Sequence, residues 1–261
     1  AQVRPIHRPP RTPADRHPHC RWTVIIDESY PEVPFIPEMD IVAATHAHSC
    51  ELDPIDPDDE GASDYSGDLL ADVDFAAFSH SALVRIADEV CLQMHLLVKS
   101  FQIAVEKRAG ADTELARAIR TKQLIGIAGV AADRIHKALT LGSDAKGALR
   151  VLELHPLLNP AAYVSADIGP DSVHVRRSPA HEDGAWVSLI SPVADAPLQA
   201  IAHAVDPHLR AEVSGTETDW TVRFISTDTA AKKLPEVEVC EFSGGASWVF
   251  EERRSLPLTV V

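Results

Sequence analysis

The stretch that decides the fold is LVRIADEVCLQMHLLVKSFQIA, residues 83–104. Its apolar residues fall at Leu83, Ala87, Val90, Met94, Leu97, Phe101 and Ala104, in alternating steps of four and three. Such steps keep side chains on one stripe of an α-helix, so the spacing predicts a long helix with a heptad seam. Ile86, Cys91, Val98 and Val105 widen that stripe into the face a globular bundle helix needs, and Arg85, Asp88, Lys99, Gln102 and Glu106 take the other side. Asp72, Asp74 or Ser79 is placed to cap the start, and Gly110 to end it.

A second helix follows from Asp112 or Thr113 to Gly142, with Leu115, Ile119, Ile127, Ala131, Ile135 and Ala138 at helical spacing. Residues 124–131, LIGIAGVA, are apolar all round, which places this helix at the centre of the molecule or of a dimer. The run is far shorter than the roughly 20 residues that span a bilayer. Gly126 and Gly129 each lower helix propensity by about 1 kcal/mol, and the return expected is close approach of a neighbouring backbone. Residues 73–142 therefore predict a long antiparallel helical hairpin. Ser143 and Asp144 open a third helix that must end before Pro156.

Beyond Asn159-Pro160 the period changes from helical to alternating. Residues 163–168, 172–177, 186–191, 209–213, 220–226, 237–242 and 247–251 predict strands, the last four in two hairpins, with an amphipathic helix over 196–205. Short turns between strands make the sheet mainly antiparallel. The expected fold class is α+β: a long antiparallel helical hairpin packed with a mainly antiparallel β-sheet, behind an extended N-terminal arm. Three regions follow, 1–72, 73–158 and 159–261.

The N-terminal region is uneven. Prolines at 5, 9, 10, 13 and 18 predict an arm without regular structure. Strands are expected at Trp22–Ile26 and Asp40–Ala44. Residues 51–74 hold ten acids and no Lys or Arg, whereas residues 1–21 hold five Arg and one Asp. The acidic stretch predicts a mobile loop. A net charge of −15 argues against nucleic acid and anionic membrane as partners. Cys20, Cys50, Cys91 and Cys240 are scattered without pairing or zinc-ribbon spacing, and no apolar leader is visible, so a reduced, cytoplasmic chain is expected. High usage of Ala, Arg and Asp fits a bacterial, high-GC genome, an expectation from composition alone.

Candidate chemistry concentrates at His46-Ala47-His48-Ser49-Cys50. On a strand, residues two apart share a face, which would aim His46, His48 and Cys50 at one ion, with Asp53 or a neighbouring acid to complete the set. A strand ending in His-x-His resembles the first metal motif of amidohydrolase-like metal-dependent hydrolases, and that resemblance implies a divalent metal such as zinc. Asp56-Pro57-Asp58-Asp59-Glu60-Gly61 follows the opening of a calcium loop, with Gly67 where the bidentate Glu belongs. Asp27 at a strand end is placed as in RNase-H-like nucleases. His80 and His95 are spaced to stack on one side of the first helix, and Cys91 lies one turn from His95.

Two functions are expected from this reading. The first is an intracellular self-associating or small-ligand-binding protein, its partner a second copy or another protein docked through the 73–142 hairpin, with no cofactor. The alternative is a small metal-dependent enzyme using His46, His48 and nearby acids. Any chemistry belongs where the 46–74 loop enters the hairpin, near His80.

Overall fold

In the computed structural model, which describes residues 2–7, 12–13, 15–16, 21–27, 29–30, 36–65 and 73–243, residues 2–7 of the proline-rich N-terminus are paired rather than irregular. Strand β1 (Gln2–His7) lies antiparallel to β2 (Arg21–Ile25), with a register irregularity between Pro5 and His7. A two-stranded ribbon is all edge, and an edge tolerates a proline that donates no ladder bond. Helix α1 (Glu38–Ala43) replaces the strand expected over 40–44. Pro37 precedes it, and Glu38 and Asp40 lie in its first turn, where carboxylates complement the exposed amides. Residues 1–41 and 42–261 form separate compact units.

In the second unit, α2 (His80–Ala109) and α3 (Thr113–Ala138) are joined by residues 110–112. The expected caps are present: Ser79 Oγ accepts from Ala82 N–H, Asp112 from Leu115 N–H, and Gly110 ends α2. Asp144 caps α4 (Ala145–Leu154) through Gly147 N–H at 2.8 Å. Then come β3 (Ala166–Ile168), β4 (Val173–Val175), a short α5 (Pro179–Glu182), α6 (Ala196–Val205), β5 (Leu209–Gly215), β6 (Trp220–Ser226) and α7 (Pro235–Ser243). The fold is α+β. Its larger sheet runs β3-β4-β6-β5, antiparallel throughout, with Leu209 opposite Ser226 and Gly215 opposite Trp220. Leu209, Ala211, Trp220, Val222 and Phe224 alternate inward, as period two requires.

Two expected strands are helical instead. Trp186–Leu189 is a 3₁₀ turn with Trp186, Val187 and Leu189 all buried, so its apolar run reflects burial on every side rather than a pleat. Residues 237–242 belong to α7, which Pro235 opens and Glu236 and Glu238 favour at its first turn. The partner strand expected at 247–251 lies outside the described residues. Among those described, no helix is long and apolar enough to cross a membrane.

Helix α3 is the central element, and it packs more extensively on α6 and α7 than on α2. Leu124, Ala128 and Ala132 have no exposed surface. Gly126 and Gly129 explain the approach of α7: a Cβ on Gly126 would lie 2.7 Å from Glu236 O and 2.3 Å from Cys240 Sγ, and one on Gly129 2.6 Å from Val237 Cγ2. One hydrophobic cluster joins Leu92 and Val98 of α2 to α3, α4, α6 and the sheet.

The buried face of α2 is not its heptad seam. The inward residues are Ala82, Leu92, His95, Val98, Gln102 and Val105, whereas Val90 is 56% and Leu97 69% exposed. The helix has turned its most regular apolar stripe outward.

Candidate functional site

The first cluster is centred on Asp183, just after α5. Its Oδ1 accepts from both the backbone N–H and the Nδ1–H of His46, each at 3.0 Å; its Oδ2 accepts from Ala47 N–H at 3.0 Å and Tyr163 O–H at 2.8 Å. Glu182 Oε2 stands 3.5 Å from His46 Nε2. Lys99 Nζ donates to Asp183 O, and Arg120 Nη2 to Gly184 O, so α2 and α3 hold the same loop. Burial works to raise the Asp183 pKa, but the bonds from His46, Ala47 and Tyr163 outweigh it and hold the carboxyl below its usual range. The hydrogen bond to Asp183 raises the pKa of His46. Burial first, and Asp183 second, push the Tyr163 phenol well above its ordinary value.

Four accepted bonds occupy this carboxylate, and a carboxylate offers about four lone-pair sites. The cluster is a clasp that fastens the turn after α1 to the loop after α5. His46 and His48 lie on a turn, not a strand, so the period-two argument for a shared face does not apply. His48 is exposed. Cys50 packs half-buried against the core, its thiol pKa raised by burial. Asp53 offers its backbone carbonyl to Arg85 Nη1 at 2.9 Å. Among the described residues, no group of three or more His, Cys, Asp or Glu side chains is arranged to hold a metal ion.

The other candidate positions engage local partners. Asp27 accepts from the backbone N–H and hydroxyl of Ser29. Asp56 accepts from Asp58 N–H, and Asp59 Oδ2 from Ser81 N–H at 2.7 Å. The described part of the acidic loop is thus pinned to the first turn of α2. His80 is exposed and His95 buried, so the two do not share a side. His95 Nε2–H donates to Asn159 O at 3.0 Å, and its ring stands edge-on to Tyr163 and Trp186. Burial pushes the Cys91 thiol up to about 11, which keeps it protonated rather than paired as a thiolate with His95.

The second cluster lies on the outward seam of α2. Residues 62–65 and 73–78 run beside the helix, and between them opens a cavity of about 890 Å³. Ile86, Val90, Met94 and Leu97 form the helix wall. Val73, Phe75 and Phe78 face them from the loop, with Asp64, Tyr65, Asp74, Glu89 and Gln93 as the polar members. The loop is held by backbone bonds: Ala62 N–H to Ala77 O at 2.8 Å and Ser79 N–H to Ala62 O at 3.0 Å. Asp74 Oδ1 accepts from Ala76 N–H and starts the 3₁₀ turn Phe75–Ala77. Gly61 sits at φ +120°, and a Cβ there would come within 2.5 Å of Ser79 N, so this crossing requires glycine. Across the opening, Tyr65 O–H donates to Glu89 Oε1 at 2.8 Å, and Arg85 Nε donates to the same oxygen at 2.9 Å. Those bonds lower the Glu89 pKa, Arg85 contributing most.

Sequence reasoning found Val90, Met94 and Leu97 but placed them inside. It missed Phe75 and Phe78, whose signal was two aromatics just ahead of the Ser79 cap. Comparison of the chain with family models, curated proteins and solved structures gives no match.

Proposed function

We propose that this chain is a binding protein, and that the cavity between residues 62–65 and 73–78 and the outward seam of α2 takes a small apolar ligand. The cavity itself carries the reading: about 890 Å³, walled by aliphatic and aromatic side chains with a few polar groups, is the size and character of a small-molecule site. The seam it exposes would cost stability unless something covers it, since large contiguous apolar patches are rare on proteins without partners.

The test is titration with the uncharged probe N-phenyl-1-naphthylamine, whose fluorescence rises in apolar surroundings. Saturable binding is expected in wild type. It should fall by about tenfold or more in Val90→Glu and in Leu97→Glu, since a charge in the wall must desolvate when the ligand enters. Both side chains are exposed, so circular dichroism should stay unchanged. Absence of saturable binding in the folded wild type refutes the reading.

A second reading is favoured by one observation. Phe101 of α2 and Leu115 and Ile119 at the start of α3, outside the cavity lining, are exposed apolar residues as well. Self-association of two copies through these residues covers the same seam. Light scattering that shows a dimer in wild type and a monomer in Leu97→Glu supports it. The metal-dependent enzyme has less to stand on, because among the described residues no group of three or more His, Cys, Asp or Glu side chains gathers around His46.

A further inference from the structure

The charge and ring chemistry of the cavity narrow its occupant. The described lining residues include three carboxylates (Asp64, Asp74, Glu89) and three aromatic rings (Tyr65, Phe75, Phe78), and no Lys, Arg or His. The two kinds of group are unevenly placed. Five of these six belong to the wall of residues 64–65 and 73–78, and Glu89 is tied to it through Tyr65. The facing α2 residues Ile86, Val90, Met94 and Leu97 are aliphatic or thioether. One wall therefore suits a positive charge and the other a hydrocarbon.

We infer, building on the binding function proposed above, that the ligand is an amphiphilic cation: an apolar chain or ring system carrying one ammonium group, which lies against the aromatic and acidic wall of residues 64–65 and 73–78 while the apolar body lies along α2. Aromatic faces attract cations through the ring quadrupole, most strongly where water is excluded. Carboxylates at the rim add the Coulomb attraction, and they disfavour a fatty acid or other anion of the same shape by the same physics. Glu89 shares its charge with Arg85. Asp74 accepts from the neutral amide of Ala76, a bond that orients the carboxylate without neutralising it. The whole chain, at −15, adds a long-range field of the same sign.

Displacement of N-phenyl-1-naphthylamine by three ten-carbon probes below their micelle concentrations decides the matter: decyltrimethylammonium, decanol and decyl sulfate. The cation is expected to bind about tenfold tighter than decanol, and the sulfate weaker than either. Asp64→Asn with Asp74→Asn should narrow the cation's advantage over decanol severalfold and leave decanol unchanged. The amide oxygen that Asp74→Asn introduces still accepts from Ala76 N–H, so the cavity keeps its shape. Raising salt should weaken the cation alone. Equal binding of all three probes, or a cation preference undiminished by the double substitution, overturns this inference and leaves the apolar-ligand reading standing. If the uncharged dye itself does not bind, that reading falls and this inference with it.

Discussion

At Asp183 four hydrogen bonds from three residues converge on one carboxylate that is 8% exposed. Replacing it by Asn keeps the size but turns one acceptor oxygen into a donor, which then faces either the Ala47 amide or the His46 pair. The expected loss is roughly 2 kcal/mol of unfolding free energy, the scale for leaving a buried donor unsatisfied. Urea titration of Asp183→Asn against wild type at pH 5.5 measures it, and an unchanged midpoint would sink the clasp. The pH dependence has two opposed limits. The folded Asp183 titrates below its ordinary 3.8, so its contribution is complete above pH 3.8 and is lost as pH falls through the depressed value. The folded His46 titrates above its ordinary 6.5, so its contribution is complete below pH 6.5 and is lost as pH rises through the raised value. The difference between wild type and Asp183→Asn should therefore be greatest between these bounds and smaller at pH 8.

At the scale of elements, the helices show what periodicity can and cannot decide. It found α2, α3, α4, α6 and the β5–β6 pair, because each has its own caps, turns and repeat. On α2 it set the heptad seam inward, whereas of the broad face it drew only the flanking Val98 and Val105 are buried. Two seams run along that helix, and the purely apolar one, through Val90, Leu97 and Phe101, outscored the one through Leu92, His95, Val98, Gln102 and Val105. Burial follows the partner rather than the tally of apolar atoms. The inward seam meets a loop whose Asn159 carbonyl is satisfied by His95, so a buried imidazole is favourable there. The same blindness to partners hid the Asp183 clasp: His46 and Asp183 are 137 residues apart, and no local pattern links them. The glycines of α3 were legible, because a costly residue in a helix interior implies a close neighbour. Gly126→Ala tests that neighbour. Its new methyl must push back Glu236 O and Cys240 Sγ of α7, an overpacking cost of about 1–3 kcal/mol set against the helix propensity gained. The strain should open α7 before it unfolds the core. Peptide-level mass spectrometry of thiol alkylation is expected to show Cys240 labelled faster in the variant, with Cys91 unchanged. Equal Cys240 rates in the two proteins would mean α7 is not seated on Gly126.

At the scale of the whole molecule, the helical layer and the turn that leads to the sheet are joined at His155, which has no exposed surface. Leu157 N–H donates to its Nδ1 at 3.0 Å, so the ring proton sits on Nε2, which faces Ala128 O of α3 at 3.3 Å. A neutral imidazole satisfies both partners. A protonated one loses the acceptor and carries a charge into the core, and burial accordingly lowers its pKa to about 4. The folded value lies below the unfolded 6.5, so the neutral ring's contribution is complete above pH 6.5 and is lost as pH falls toward 4. A shift from 6.5 to about 4 corresponds to about 3 kcal/mol. That is a large share of the roughly 5–15 kcal/mol that holds a domain together. Acid unfolding of this chain should thus begin well above the pH at which its carboxylates titrate. His155→Gln supplies the control, because a side-chain amide can donate to Ala128 O without gaining a charge. The variant is expected to be less stable than wild type at pH 7.5, where it loses the fitted ring. Between pH 6.5 and 4.5 it should lose less unfolding free energy than wild type does, since the carboxylates common to both proteins cancel in the comparison. Parallel stability curves for the two proteins across that interval would show that protonation of His155 does not drive the acid transition.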